Sequence, residues 1–395
     1  MMMNAAAFVF VLFFVASCAP LRHFEAVQIL RDLAAGRDAA LSGQRAALRQ
    51  SVDYTVAGRV RHADLYLPGT LAGCVKTSSE VAGCPRAGIV AVPGAAPLGK
   101  DDPRFTAFAA TLARAGFAVL APDLAGLRQL RVRPSDVREI ADAFAYLASR
   151  PELAPGGRSG MFAFSYAVGP AVLAALEDDI RERVRYIVGV GGYHDLPRAM
   201  RFFTTGWFEH AGQWHHLSPD ETGKMVLLYA SLDYLESSSD RTLFERMVAL
   251  RMRDPAADPG PLAAGLSSDA QAVYALAANN DPARFSALFE RLPAAMRADI
   301  GRLDLARHDL KQLKATLILL HGKSDTLIPY PESLALAAAA PPGQASVLLI
   351  RRVLGHVDLS RSDLLAWRFW SEDLPDLWRL WRVIDLLLAQ REAAA

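Results

Sequence analysis

Gly160-Met161-Phe162-Ala163-Phe164-Ser165-Tyr166-Ala167 is an apolar run that stops at a serine, and residues 167–176 continue as helix-forming sequence. Residues 160–164 have the length and composition of a strand buried on both faces. A strand that passes directly into a helix must turn sharply between them, and here the serine occupies the turn. Outward from this point the chain alternates in kind. Residues 87–92 form a second continuous apolar run, 105–115 read as helix, 118–120 as strand, 135–149 as an amphipathic helix and 185–190 as the next strand. Much later, residues 316–320 and 346–353 supply two more strands, and residues 53–56 and 60–67 read as a hairpin about Gly58. Strand–helix alternation of this kind predicts an α/β protein with a doubly wound, mostly parallel sheet covered by helices on both faces.

Residues 196–313, after the sixth strand, show no clear strand and carry Ala, Leu, Arg and Asp at helical spacing, with a Pro/Gly break at 255–261. They predict a helical cap inserted into the core. Its early part, from Trp207 through Trp214-His215-His216, is aromatic enough to line a pocket or to pack the cap onto the sheet. Two further segments carry chemistry. One is His321-Gly322-Lys323-Ser324-Asp325-Thr326-Leu327-Ile328-Pro329, directly after a strand; the other is Leu354-Gly355-His356, after the last strand. A serine hydroxyl is a weak nucleophile unless a base removes its proton, and a histidine serves as that base when a carboxylate fixes its tautomer and stabilises the imidazolium. Ser165, Asp325 and His356 supply these three groups.

The chain order Ser, Asp, His, the strand–serine–helix turn and the His321–Pro329 segment together resemble the α/β-hydrolase superfamily over about residues 53–390. The resemblance implies Ser165 as nucleophile, His356 as base and Asp325 as acid. Asp195, in Gly192-Tyr193-His194-Asp195, occupies the alternative acid position. It also implies two backbone N–H donors for the tetrahedral oxyanion, those of Tyr166 and of Ala95 in Val92-Pro93-Gly94-Ala95-Ala96. The family's elbow is usually G-x-S-x-G, whereas this chain has Ala163 and Ala167; where the family often has His-Gly, this chain has Pro93-Gly94. The expected activity is hydrolysis of a carboxylic ester or related acyl bond through an acyl-enzyme, carboxylesterase-like, with a small-molecule acyl ester as substrate and no cofactor. The alternative is a hydrolase-fold binding or scaffold protein with little turnover, for which the alanine elbow speaks.

Gly94 to Lys100 fits the spacing of a phosphate-binding loop, but Asp101 stands where Ser or Thr would hold magnesium and Pro97 removes an N–H from the cradle, so no nucleotide is expected. No metal is expected: His215 and His216 are adjacent, and there is no H-E-x-x-H. A net charge of +1 without a basic run argues against nucleic acid, and 52% hydrophobic with 22% charged residues is a globular composition.

The first residues read as a targeting segment. Residues 5–16 are apolar but too short to span a bilayer, which takes about 20 residues as a helix, and they suit a signal-peptide core. Val15-Ala16-Ser17-Cys18 resembles a bacterial lipobox, implying lipidation of Cys18 and attachment to a membrane of the cell envelope, although Met1-Met2-Met3-Asn4 lacks the usual basic residues. Ordinary secretion is the other reading. Cys74 and Cys84 remain as an even pair in one loop, residues 69–86. A disulfide between them suits an oxidising compartment and would stabilise by about 2–3 kcal/mol. The expected organisation is a signal peptide at 1–17, a lipid-anchored helical arm at 18–52, core at 53–195, cap at 196–313 and core again at 314–395. Trp378 and Trp381 lie in a C-terminal helix following Pro375, where Leu377, Trp381, Ile384 and Leu388 make an apolar stripe expected to pack on the sheet.

Overall fold

The computed structural model describes residues 20–35, 47–69, 84–254, 257–351 and 373–393. It begins with helix α1 (Pro20–Ala35), followed by strands β1 (Leu48–Val56), β2 (Arg59–Leu67) and β3 (Ala87–Val92). Helix α2 (Pro103–Arg114), β4 (Phe117–Pro122), α3 (Ser135–Ala148), β5 (Ser159–Phe164), α4 (Val168–Ala174) and β6 (Tyr186–Val190) then alternate. The insertion carries α5 (Leu196–Thr205), β7 (Trp207–His210), β8 (Gln213–His216), α6 (Thr222–Ser231), α7 (Ser238–Arg253), α8 (Ser268–Ala277) and α9 (Ala294–Leu303). The chain returns to the sheet with β9 (Thr316–Gly322), α10 (Pro331–Ala339), β10 (Ala345–Ile350) and α11 (Leu374–Glu392).

Eight strands form one sheet in the order β1-β2-β4-β3-β5-β6-β9-β10. The first two pairings are antiparallel and the other five parallel. β3, β4 and β6 are buried at every position, which is why they read as unbroken apolar runs rather than as alternations. One face packs under α3, α4 and the insertion. The other packs under α1, α2 and α11, where Ile384 and Leu388 of the expected stripe are buried together with Leu380, Val383 and Leu387, while Leu377 and Trp381 pack against it only partly buried. This is the doubly wound α/β architecture that the alternation predicts.

Two local expectations need correction. The stretch from 18 to 52, read as a helical arm, contains the start of β1 at Leu48. Val52, Tyr54 and Val56 alternate with more exposed residues in register with β2, and the tight turn at Ala57 (φ 48°) and Gly58 (φ 78°) closes the hairpin. The helical part packs on the core. Ala26 and Ile29 are buried, Arg22 Nε donates to Asp385 at 2.7 Å, Arg114 Nη2 donates to Asp32 at 3.1 Å, and the Trp381 indole donates to the His23 carbonyl. Finally, the insertion is helical except for β7 and β8, an antiparallel hairpin turning at Ala211 (φ 52°) and Gly212 (φ 75°). Four-residue strands joined by Ala-Gly rather than Asn-Gly give little pattern to read. His215 and His216 therefore sit on a strand, not a helix, and point to opposite faces.

Candidate active site

β5 lies near the middle of the sheet, between β3 and β6, and delivers Phe164 to its C-terminal edge. The next residue, Ser165, has φ 54°, the left-handed region that L-residues other than Gly, Asn and Asp seldom enter. Such a conformation costs on the order of 1–2 kcal/mol and persists where surrounding structure enforces it. Residues Ser165–Ala167 make a single 3₁₀ turn and pass into α4. The strand, strained serine and helix are the elbow that the sequence implies.

The alanines flanking this turn fit it. Ala163 lies within β5, and Ala167 has φ −63° and ψ −14°, an ordinary helical conformation. Neither needs glycine for backbone reasons. The demand for small residues falls instead on nearby positions. A Cβ at Gly169 would lie 2.2 Å from the Tyr193 hydroxyl, and one at Gly192 would lie 2.5 Å from Val168 Cγ1. Close approach of α4 to the loop after β6 is what these glycines permit.

The loop after β3 reaches the same point from the other side. A Cβ on Gly94 would lie 3.2 Å from Ser165 Cβ and 3.4 Å from the Phe164 carbonyl oxygen. Gly94 and Ala95 therefore pack against the elbow, and Ala95, Ser165 and Tyr166 line one cavity. In the same loop, Lys100 Nζ is engaged by Asp64 at 2.8 Å and by Asp101 at 3.2 Å, an ion-pair arrangement rather than a phosphate cradle.

Asp325 follows β9 and is buried. Its Oδ1 accepts the backbone N–H groups of Leu327 (2.8 Å) and Ile328 (3.0 Å), and its Oδ2 lies 3.4 Å from His321 Nε2. His321, fully buried at the end of β9, ties this loop down. Its Nε2 donates to the Ile328 carbonyl at 2.9 Å, so Nδ1 accepts from the Ser333 hydroxyl at 2.7 Å. Both Leu327 and Ile328 line the cavity that holds Ser165. The sequence marks His321 as part of a motif without disclosing this pinning role.

Asp195 follows β6 and starts α5. Its carboxylate accepts from Arg198 N at 2.8 Å and caps α5. Its own N–H donates to Glu332, a buried carboxylate that also accepts from His194 N and from the Arg198 guanidinium. His356 lies outside the described residues. β10 ends at Ile350, which is in register with Gly322, so the chain leaves β10 beside the loop that holds Asp325. Cys18 and Cys74 also lie outside the described residues, whereas Cys84 is buried ahead of β3.

The cavity above Ser165 has a volume of about 630 Å³. On the insertion side its walls are apolar: Leu196, Met200 and Phe203 from α5, Leu227 from α6, and Met296 and Ile300 from α9. The charged group on that side, Asp299, is occupied, accepting from the Tyr234 hydroxyl and from Arg302, each at 2.8 Å. The aromatic residues 207–216 do not line the cavity. Phe208 instead packs on Phe202, His215 and Tyr330.

One group near Ser165 escaped the sequence reading altogether. Asp136, buried at the start of α3, accepts from the Tyr166 hydroxyl at 3.3 Å and from Arg133 N at 3.0 Å. Burial pushes its carboxyl up to about 7. No spacing signal links residue 136 to residue 166, and Ser-Asp at a helix start reads as ordinary capping sequence.

No family model and no curated protein matches the chain. Among solved structures, a Legionella pneumophila protein assigned provisionally as a hydrolase superposes with a TM-score of 0.54 at 13% identity, over 95% of this chain and 96% of that one. An acylaminoacyl peptidase from Pyrococcus horikoshii gives a TM-score of 0.46 at 10% identity, over 89% of this chain; the chain spans 43% of that peptidase's length. An esterase domain from Rhodothermus marinus gives 0.41 at 15% identity, over 87% of this chain and 98% of that one. At such identities the likeness is one of fold.

Proposed function

We propose, from the premise that this chain carries the α/β-hydrolase fold, that it is a serine hydrolase cleaving carboxylic esters. The observation that carries the reading is the backbone of Ser165, a serine held at φ 54° on the C-terminal edge of a central parallel strand and facing a cavity. Strain kept where Gly94 packs against Ser165 fits a nucleophile facing the cavity better than a helix cap. In the proposed reaction, His356 takes the Ser165 hydroxyl proton as Oγ adds to the ester carbonyl carbon. The N–H groups of Ala95 and Tyr166 stabilise the oxyanion, and Asp325 orients the imidazole. The ester C–O bond then breaks as His356 returns the proton to the leaving alcohol. Water, deprotonated by the same histidine, adds to the acyl-enzyme and releases the carboxylic acid with Ser165 restored.

The apolar walls contributed by α5, α6 and α9 favour an uncharged aliphatic or aromatic acyl group, because an ionised one would lose hydration there without a partner. We place the protein on the outer side of a membrane of the bacterial envelope. Residues 1–17 would be removed, Cys18 lipidated, and Cys74 and Cys84 joined as a disulfide. Cys18→Ser should then shift the chain from the membrane to the soluble fraction. The reaction is tested with 4-nitrophenyl esters of rising acyl length. Wild-type protein should hydrolyse them with a preference for apolar chains longer than acetyl, and Ser165→Ala should lose the activity by a factor on the order of 10³ or more. Wild-type hydrolysis no faster than that of Ser165→Ala would refute the assignment and leave the scaffold reading.

A further inference from the structure

Tyr166 immediately follows the proposed nucleophile, and its backbone N–H is the proposed oxyanion donor. Its side chain does not end in solvent. The ring stacks on Tyr193 at a centroid distance of 6.1 Å and 24° between planes, and its hydroxyl reaches back to Asp136 across 30 residues of sequence. Tyr193 is fixed in turn, donating from its hydroxyl to the Leu303 carbonyl at 2.9 Å, at the end of α9. Tyr166, Asp136 and Tyr193 are all buried. A phenol has only two side-chain torsions. With the ring clamped by Tyr193 and the hydroxyl held by a carboxylate, little freedom remains for the backbone of Tyr166.

We propose that Asp136 is a positioning residue for catalysis: by accepting the hydrogen bond of the Tyr166 phenol, it fixes the Tyr166 N–H in the direction where the tetrahedral oxyanion develops. The inference rests on the serine-hydrolase reading and adds to it a residue outside the triad. Donors stabilise an oxyanion strongly only when aimed in advance at the position the charge will occupy. A turn as strained as Ser165 can relax by rotating the next peptide unit, which is the one carrying this donor. The link also has a sensible charge pattern. Burial and the neighbouring Asp136 hold the Tyr166 phenol well above its ordinary range, so the phenol keeps its proton and donates. The groups acting on Asp136 are Arg133 and Glu139 from its own segment and Tyr166 across the contact; Tyr193 and Tyr234 surround the phenol.

The test uses the full chain, 4-nitrophenyl butyrate as substrate and an alkyl trifluoromethyl ketone, which forms a tetrahedral oxyanion adduct with an active serine. Tyr166→Phe keeps the ring and its stacking and removes only the hydroxyl. It should lower kcat by about 10-fold, less than outright loss of a donor, with KM little changed. The ketone should be weakened by a similar factor. Asp136→Leu should do the same, whereas Asp136→Asn, which retains an acceptor oxygen, should recover most of the loss. Combining Tyr166→Phe with Asp136→Leu should cost no more than either alone. Wild-type kcat and ketone affinity in a folded Tyr166→Phe would overturn the proposal while leaving the hydrolase reading intact. Wild-type protein that neither hydrolyses the ester nor binds the ketone would overturn both.

Discussion

The serine elbow and the acid loop sit at the same edge of the sheet, and different contacts stand out around each. Around Ser165 it is close packing. Gly94 packs against both Phe164 and Ser165, Gly169 and Gly192 let α4 lie close to Tyr193 and the loop after β6, and the Ser165 backbone is in a costly conformation. Asp325 is held by hydrogen bonds, with two N–H groups on one oxygen and His321 tying the loop from the other side. Crowding tolerates any residue of the right size, so its sequence signature drifts. Hydrogen bonding demands particular groups in a particular order, so its signature stays legible. The packing near the elbow places its demand for glycine at Gly94, Gly169 and Gly192, which leaves room for Ala163 and Ala167 beside a nearly complete match at His321–Pro329.

The largest effect is expected from removing charge at the acid while keeping its shape. Asp325→Asn retains an oxygen for the Leu327 and Ile328 N–H groups, so the fold and melting temperature should change little, while kcat should fall by about 10³–10⁴-fold. A comparable loss of stability would mean that the carboxylate serves structure first. At the elbow the expectation reverses, because size rather than charge is at stake. Gly169→Ala places a methyl 2.2 Å from the hydroxyl of a buried, hydrogen-bonded tyrosine. It should destabilise by about 1–3 kcal/mol through overpacking and lower activity as Tyr193 moves, with urea unfolding and turnover read on one preparation.

A third test uses pH. The folded-state value of Asp136 is pushed by burial up to about 7, above an unfolded value near 4. The folded protein therefore binds this proton more tightly than the unfolded chain, and its contribution to stability is lost as pH rises from about 4 to about 7. Wild type should lose stability relative to Asp136→Asn across that window. Parallel unfolding curves at pH 5 and pH 8 would contradict this. The smallest effect belongs to Ala167→Gly. It brings one of the two flanking positions to the glycine usual in α/β-hydrolases, but Ala167 already has a helical backbone, so glycine should only destabilise by about 0.5–1 kcal/mol and leave kcat within a factor of two or so. A large gain in turnover would show that the alanine elbow is a defect.

The fold was legible because it rests on periodicity. Six of the sheet strands follow from apolar runs set between helical stretches, and the long gap after the sixth marks the insertion. Where the pattern is short or the decisive contact is distant, the sequence is silent. The start of β1 at Leu48 is exposed and carries no apolar alternation until Val52. β7 and β8 are four residues each. The docking of α1 depends on partners such as Asp385 and Arg391, more than 350 residues away. Of the candidate site, residue types and chain order single out Ser165 and Asp325, the resemblance to α/β-hydrolases adds Ala95 and Tyr166, and the fold gathers the four at one end of the sheet. The Asp136–Tyr166 bond and the pinning role of His321 are tertiary facts. Both depend on polar groups that would be unremarkable at the surface and matter only because they are buried.

The account stands or falls on whether Ser165 is an activated nucleophile. The most direct measurement treats the folded full-length chain with a fluorophosphonate, followed by intact mass and peptide mapping, beside Ser165→Ala and Asp325→Asn. The account predicts a single adduct on Ser165 in wild type, none in Ser165→Ala and strongly slowed labelling in Asp325→Asn. A folded wild-type protein that remains unlabelled, or an adduct mapping to another serine, would contradict it.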